Sequence, residues 1–296
     1  MADQEITLRP QKSTFIELIN ALKINPPAIF SLFIVFIYVF IGLFGSMLAP
    51  YEFDEMGVGI PLQKPSWEYL FGTDEFGRDV FSRVLAGGII SLRIGVLVVG
   101  IAGTFGSLIG MISGYIGGWI DEAVMRITDI FLSVPDLVMA LVIATSLGAS
   151  IDAAIIGITL VRWTGYARLI RSGVIAEKGK DYITASRALG LHPSRIIFKH
   201  IFPNSYTATL VQATFDFGLA ILFASGLSFV GAGAQPPEPE WGALVSSGRQ
   251  YVQAAWWIPI FPGFAIFGAV LAFNILGDTL RDFLDPKLRH SMDQKH

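Results

Sequence analysis

The sequence predicts an all-α, polytopic membrane protein with six transmembrane helices. Three observations predict it. Apolar residues make up 53% of the 296 and charged residues only 15%, against about 25% charged in a soluble domain. Several uncharged runs reach the roughly 20 residues that a helix needs to cross a hydrocarbon core. The basic residues, finally, gather on alternate inter-span segments. Cysteine is absent, which excludes a disulfide scaffold, a thiol nucleophile and any Cys-based metal site. A net charge of -3 gives no reason to expect a nucleic-acid partner.

The elements follow in order. The start, MADQEITLRPQKS, is polar and mixed in charge, unlike a cleaved signal peptide. Thr14 and Glu17 are spaced to cap a short amphipathic helix at about 14–25, lying on the inner surface within a segment 1–26. The first span is 27–49: Ala28–Leu48 carries no charge, with Pro26 and Pro27 at its start and Pro50 at its end. An extracytoplasmic loop, 50–90, leads to the second span, 91–114, inside the uncharged run between Arg93 and Asp121.

The stretch 127–169 admits two readings. Leu137–Val161 is either one long helix or two helices turning at Gly148-Ala149-Ser150. Two helices place Arg9, Lys12, Lys23, Arg126, the basic residues of 162–199 and those of 281–295 on one side. Lys64, Arg78, Arg83, Arg93 and Arg249 then lie on the other. The positive-inside rule selects this arrangement, with both termini cytoplasmic. A single helix would also bury Asp152 at a cost of about 2.5–3.5 kcal/mol. The third and fourth spans are therefore 130–149 and 152–170. The fifth is 206–230, a shorter outer loop covers 231–256, the sixth span is 257–279, and 281–296 forms a cytoplasmic tail.

Ala102, Gly106, Gly110, Gly114 and Gly118 recur every fourth residue, a spacing that lets two helix backbones approach closely. The partner helix is either in the same subunit or in a second one. Asp216, with Gln212 and Thr214 near it, lies about halfway along the fifth span. An ionisable residue there reads as part of a translocation path or as a satisfied interhelical hydrogen bond. Asp129 and Asp136 flank the inner end of the third span, where a solvated or helix-start role fits. The outer loop FGTDEFGRDVFSR (71–83) lacks the residue order of a calcium loop. It reads as a structured cover for the outer mouth, and GAGAQPPEPEWG (231–242) either caps the same mouth or meets a partner there.

The segment 179–204, GKDYITASRALGLHPSRIIFKHIFPN, is a polar interruption. Lys180–Leu189 suits a helix, Gly190 a left-handed cap, and Pro193 the first turn of a second helix, which Pro203 stops before the fifth span. Its small-residue face, with Ala185, Ser186 and Gly190, fits docking into a groove on another protein better than contact with headgroups alone.

This segment resembles the cytoplasmic EAA loop of ABC-importer permease subunits, with Thr184 and Ser186 standing where that pattern has Glu and Ala. FGTDEFGRDVFSR, GYIGGWIDEAVMRITDIFLSVP (114–135), GAGAQPPEPEWG and FNILGDTLRDFLDPKLR (273–289) resemble the C-type permease of the dipeptide, oligopeptide and nickel transport family. The resemblance implies a type I ABC importer fold, with a core permease domain at 91–280 and a coupling loop at 171–205. It implies a pore subunit that imports di- or oligopeptides in a bacterial inner membrane, surrounded by lipid. The chain would pair with a homologous B-type permease, one or two cytoplasmic ATPases that bind ATP and Mg, and an extracytoplasmic substrate-binding protein. It would have no enzymatic centre, cofactor or metal of its own. Coupling would fall to Asp181, Thr184, Ala185, Ser186, Gly190, Arg195 and Pro203. The path would include Gln212 and Asp216, and the outer gate or binding-protein contact Asp74, Arg78, Asp79 and Trp241. Nickel, glutathione or another small solute is the alternative cargo. An ion-gradient-driven secondary transporter is the alternative class; it would show paired intramembrane carboxylates or repeated broken helices.

Overall fold

The computed structural model describes residues 26–284, so the expected amphipathic helix at about 14–25 lies outside the described residues. Among the described residues ten helices follow one another: α1 Pro26–Leu48, α2 Val80–Ile116, α3 Gly118–Leu132, α4 Asp136–Leu147, α5 Ile151–Lys178, α6 Asp181–Ala188, α7 Pro193–Ile196, α8 Phe202–Phe229, α9 Trp241–Gly248 and α10 Trp257–Leu284. A π turn, Ile197–Ile201, joins α7 to α8, and a 3-10 turn, Arg249–Tyr251, follows α9. Five stretches are each long and apolar enough to cross a membrane: Ile29–Leu48, Val80–Ile116, Ile151–Lys178, Pro193–Phe229 and Trp257–Leu284.

The remaining passage is broken. The third span expected at 130–149 is not one helix but α3 and α4, bent by 86°. Pro135 supplies no amide donor and disfavours helix at the residue before it, while Ser133 Oγ closes α3 by donating to the Ile130 carbonyl at 2.7 Å. The 12 residues of α4 extend about 18 Å, too short to cross alone. The reversal at Gly148-Ala149-Ser150 is present: Gly148 takes φ +93°, and Ser150 Oγ caps α5 by accepting from the Ala153 amide at 3.1 Å.

Other boundaries extend beyond the expected spans. Asp79 starts α2 at Val80, not 91, because its carboxylate accepts from the Ser82 amide at 2.8 Å and the Ser82 hydroxyl at 2.6 Å. Pro203 does not stop a helix. Pro193–Phe229 runs through as one span, with Pro203 in the first turn of α8. The π turn before it makes this possible, since the Phe202 amide bonds back to Ile197 and the widened turn relieves the clash that a proline ring makes with a carbonyl one turn earlier.

The small-residue seam joins α2 to α5 within this chain. A Cβ on Gly106 would meet the Trp163 carbonyl oxygen at 2.3 Å, and one on Gly110 the Ala167 oxygen at 2.1 Å. Gly114 continues the seam against Arg171, whereas Gly118 lies past the end of α2 with open space around it. Around this axis α1 packs on α2, α8 lies against α5 and α10, and α10 closes on α1, where the Tyr38 hydroxyl donates to the Ala265 carbonyl at 2.8 Å.

Candidate functional site

The 179–204 segment is built as a short helix, a glycine turn and a second helix, on an apolar underside. Ile183, Ile196 and Ile201 are buried with Met111 of α2 and with Ile170 and Val174 of α5. Gly190 takes φ +74°, a backbone state that glycine adopts without the penalty a Cβ brings. Asp181, Thr184, Ala185, Gly190, Arg195 and Pro203 face outward, and Ser186 is half-buried with its hydroxyl donating to the Tyr182 carbonyl at 2.8 Å.

A polar knot that the sequence reading missed anchors this segment. Glu177 at the end of α5 is nearly buried and pairs with Lys180 at 2.6 Å. It also accepts from the Tyr182 hydroxyl. Asn204 of α8 donates to Tyr182 Oη at 3.3 Å and to the His200 carbonyl at 2.6 Å. Burial, and then the Glu177 carboxylate, push the Tyr182 phenol above its ordinary value, so it remains a donor. Beside the knot, the Arg187 guanidinium lies 5.6 Å from the Tyr115 ring near the end of α2. The outward face is thus open while its attachment to α2, α5 and α8 is fixed.

Within the helices, Asp216 meets a partner the sequence reading placed elsewhere. Arg162 lies twelve residues into α5, not at a cytoplasmic margin. It pairs with Asp136 at 3.0 Å and with Asp216, to which Gln212 Nε2 donates at 2.9 Å. One guanidinium therefore ties α4, α5 and α8. Asp216 is 2% exposed, so in this conformation it is closed to a passing solute and acts as the interhelical contact. Asp136 keeps the helix-start position expected of it, in the first turn of α4. Arg168 with Asp129, and Arg171 with Asp121 at 2.5 Å, fasten α3 to the same helix.

The four outer residues singled out in the sequence are all turned inward. Asp74, Arg78, Asp79 and Trp241 are each 5% exposed or less. Asp74 accepts from Arg78 Nε at 2.6 Å and from Arg83 Nη1 at 3.1 Å. Arg83 reaches the Pro237 carbonyl at 3.4 Å and Trp241 Nε1 donates to the Val84 carbonyl at 2.9 Å, joining the start of α2 to the 231–242 segment. In this conformation they hold the cap together. Asp74→Ala removes the carboxylate that two buried guanidinium groups share, which costs about 3–5 kcal/mol. We expect limited proteolysis of 51–79 to become at least about tenfold faster; a rate within twofold of the parent would remove the clamp.

The comparisons with known proteins agree with this architecture. A family described as binding-protein-dependent transport system inner membrane component matches residues 106–290. The N-terminal transmembrane domain of oligopeptide transport permease C matches 13–65. A dipeptide transport system permease protein of Alkalihalophilus pseudofirmus is 44% identical over 287 residues, 97% of this chain and 93% of that one. A probable D,D-dipeptide permease of Escherichia coli is 41% identical, covering 97% of both chains. A glutathione transport system permease protein of Pectobacterium atrosepticum is 36% identical, over 86% of this chain and 85% of that one.

Proposed function

We propose a function from the premise that this chain belongs to the family of inner-membrane components of binding-protein-dependent transport systems: it is the pore-forming permease subunit of an ATP-driven importer of short peptides. The observation that carries the coupling is the 179–204 segment. Its outward helix is free to meet another protein, while its underside is packed onto α2 and α5. A push on this segment is therefore a push on two spanning helices. A separate ATPase that binds ATP and Mg supplies the push, Asp181, Thr184, Ala185 and Gly190 lie on the face it meets, and the chain itself catalyses nothing.

Peptide is the preferred cargo because the dipeptide permeases are the more similar relatives; glutathione, the cargo named for the third relative, is itself a modified peptide. A second permease completes the pore, and an extracytoplasmic binding protein delivers the cargo. The reversal at Gly148-Ala149-Ser150 supports an even number of passages, and the distribution of Lys and Arg supports the reading in which both termini are cytoplasmic.

Reconstitution tests the proposal. With the partner permease, ATPases and binding protein present, uptake of a labelled dipeptide should require ATP and stop when the ATPases are omitted. Uptake without them, or none with every component present, overturns it. Gly190→Val should weaken ATPase co-purification about fivefold or more, because a β-branched residue at φ +74° costs roughly 1–2 kcal/mol and shifts the turn. Insertion and pairing with the second permease should be unchanged. Undiminished co-purification would take the docking role away from this segment.

A further inference from the structure

The helix register places one exposed ion pair where a lipid-facing surface would not tolerate it. Gly45 of α1 lies against Leu85 of α2, and Gly42 against Gly88 and Leu92. Continuing this antiparallel register by one turn brings Arg93 level with Tyr38, in the middle of the charge-free α1, roughly 15 Å or more from either end. A second contact agrees. Gly95 faces the Phe217 ring of α8, and Phe217 stacks on Phe273 of α10 at 4.1 Å. Arg93 thus lies at mid-height of its neighbours. There it meets Asp152 at 2.6 Å, beside the tip of the α4–α5 hairpin, with 53% and 69% of the two side chains exposed.

A charge facing hydrocarbon at that depth is strongly disfavoured, so this face opens onto water or protein. Among the described residues the pair makes a single hydrogen bond, Arg93 Nη2 to Asp152 Oδ1. The remaining guanidinium donors and the second carboxylate oxygen are available. The neighbouring tip, Gly148 and Ala149, is small and exposed.

We propose that Arg93 and Asp152 form a subsite in the translocation space for the charged ends of a zwitterionic short peptide. The peptide carboxylate takes the guanidinium, which can bind it through two parallel N–H donors, and the peptide ammonium takes Asp152. The exchange leaves no charge unpaired, so opening the pair carries no stranded-charge cost. Neither residue belongs to the buried clamp around Arg162 or to the outer cap. This inference rests on the peptide-permease reading.

The assembled importer in proteoliposomes tests it. The chain has no cysteine, so Ala149→Cys gives this subunit one thiol beside the pair. An impermeant maleimide should label it, and binding protein loaded with a saturating dipeptide, with a non-hydrolysable ATP analogue, should slow labelling at least about fivefold. Arg93→Gln and Asp152→Asn should each lower dipeptide uptake about tenfold or more, the loss of a charge-assisted contact, while the complex with the partner permease and ATPases still co-purifies intact. No labelling means that lipid or the partner permease covers the pair. Labelling without protection means a wet ion pair that touches no substrate. Either result overturns the subsite, as does uptake within twofold of the parent. Failure of the parent complex to take up dipeptide at all would instead sink the permease reading.

Discussion

Arg162→Leu is expected to destabilise the folded chain by about 3–5 kcal/mol, because it removes the one cation that serves two carboxylates inside the helix bundle. Asp136 and Asp216 come from different helices and meet only through that guanidinium. Without it, Asp216, 2% exposed, keeps a single hydrogen bond from Gln212. The carboxylate is then left buried without its counter-charge, and α8 loses its ion-pair tie to α5. Asp216→Asn should cost less, since the amide keeps a hydrogen bond and Arg162 keeps Asp136. Combining Arg162→Leu with Asp136→Asn and Asp216→Leu should recover most of the loss, because well-packed neutral side chains often replace a buried ion cluster without penalty. Thermal unfolding of the purified complex, followed by size-exclusion chromatography, reads all of these. An Arg162→Leu complex as stable as the parent would show that the cluster holds nothing together.

Gly110→Leu should separate α2 from α5. Even a methyl group at Gly110 would lie 2.1 Å from the Ala167 carbonyl oxygen, well inside contact distance, and the obstacle is backbone, which cannot rotate away. Close approach of helix backbones is a main source of association in lipid, and overpacking costs about 1–3 kcal/mol even where side chains can yield. Loss of monodisperse protein in fluorescence-detected chromatography is the expected result. Gly165 is the control: it lies on α5, and a Cβ there would have no neighbour within 4 Å. Gly165→Ala should be neutral or stabilise by about 0.5–1 kcal/mol, as alanine does in a helix interior. If the two substitutions behave alike, close packing along this seam is not what holds the helices.

Some of this was legible in the residues. An uncharged run of spanning length needs no context, so α1 and α10 were readable, and the Gly148-Ala149-Ser150 reversal followed from charge bookkeeping across the spans. The turn at Gly190 and the start at Pro193 are local backbone rules, and they held. The bend at Ser133–Pro135 falls inside the single span expected at 130–149, so the sequence reading missed it; its 86° goes with the ion pairs that hold α3 and α4 onto α5. Pro203 misled because a proline stops a helix only when the preceding turn is tight, and the π turn is not encoded in any single residue. The Arg162 cluster joins positions 26 and 54 residues apart, and hydrophobic periodicity carries no information about such pairs. Charge counting placed Arg162 at the cytoplasmic side because it weighs sign and ignores how far into a helix a residue lies. The outer residues drew notice for their chemistry, yet alternating acids and bases in a compact loop can as easily satisfy one another as wait for a partner.

The 37 residues of α2 form one uninterrupted helix, about 55 Å from end to end. Its first turn carries Arg83, tied to the outer cap, and its last turns carry Met111 and Tyr115, packed beneath the 179–204 segment. There is no proline within it to act as a joint. The chain therefore has a built-in lever: a tilt of a few degrees imposed at one membrane surface arrives at the other as a displacement of several ångströms, without any relay of side-chain rearrangements between them.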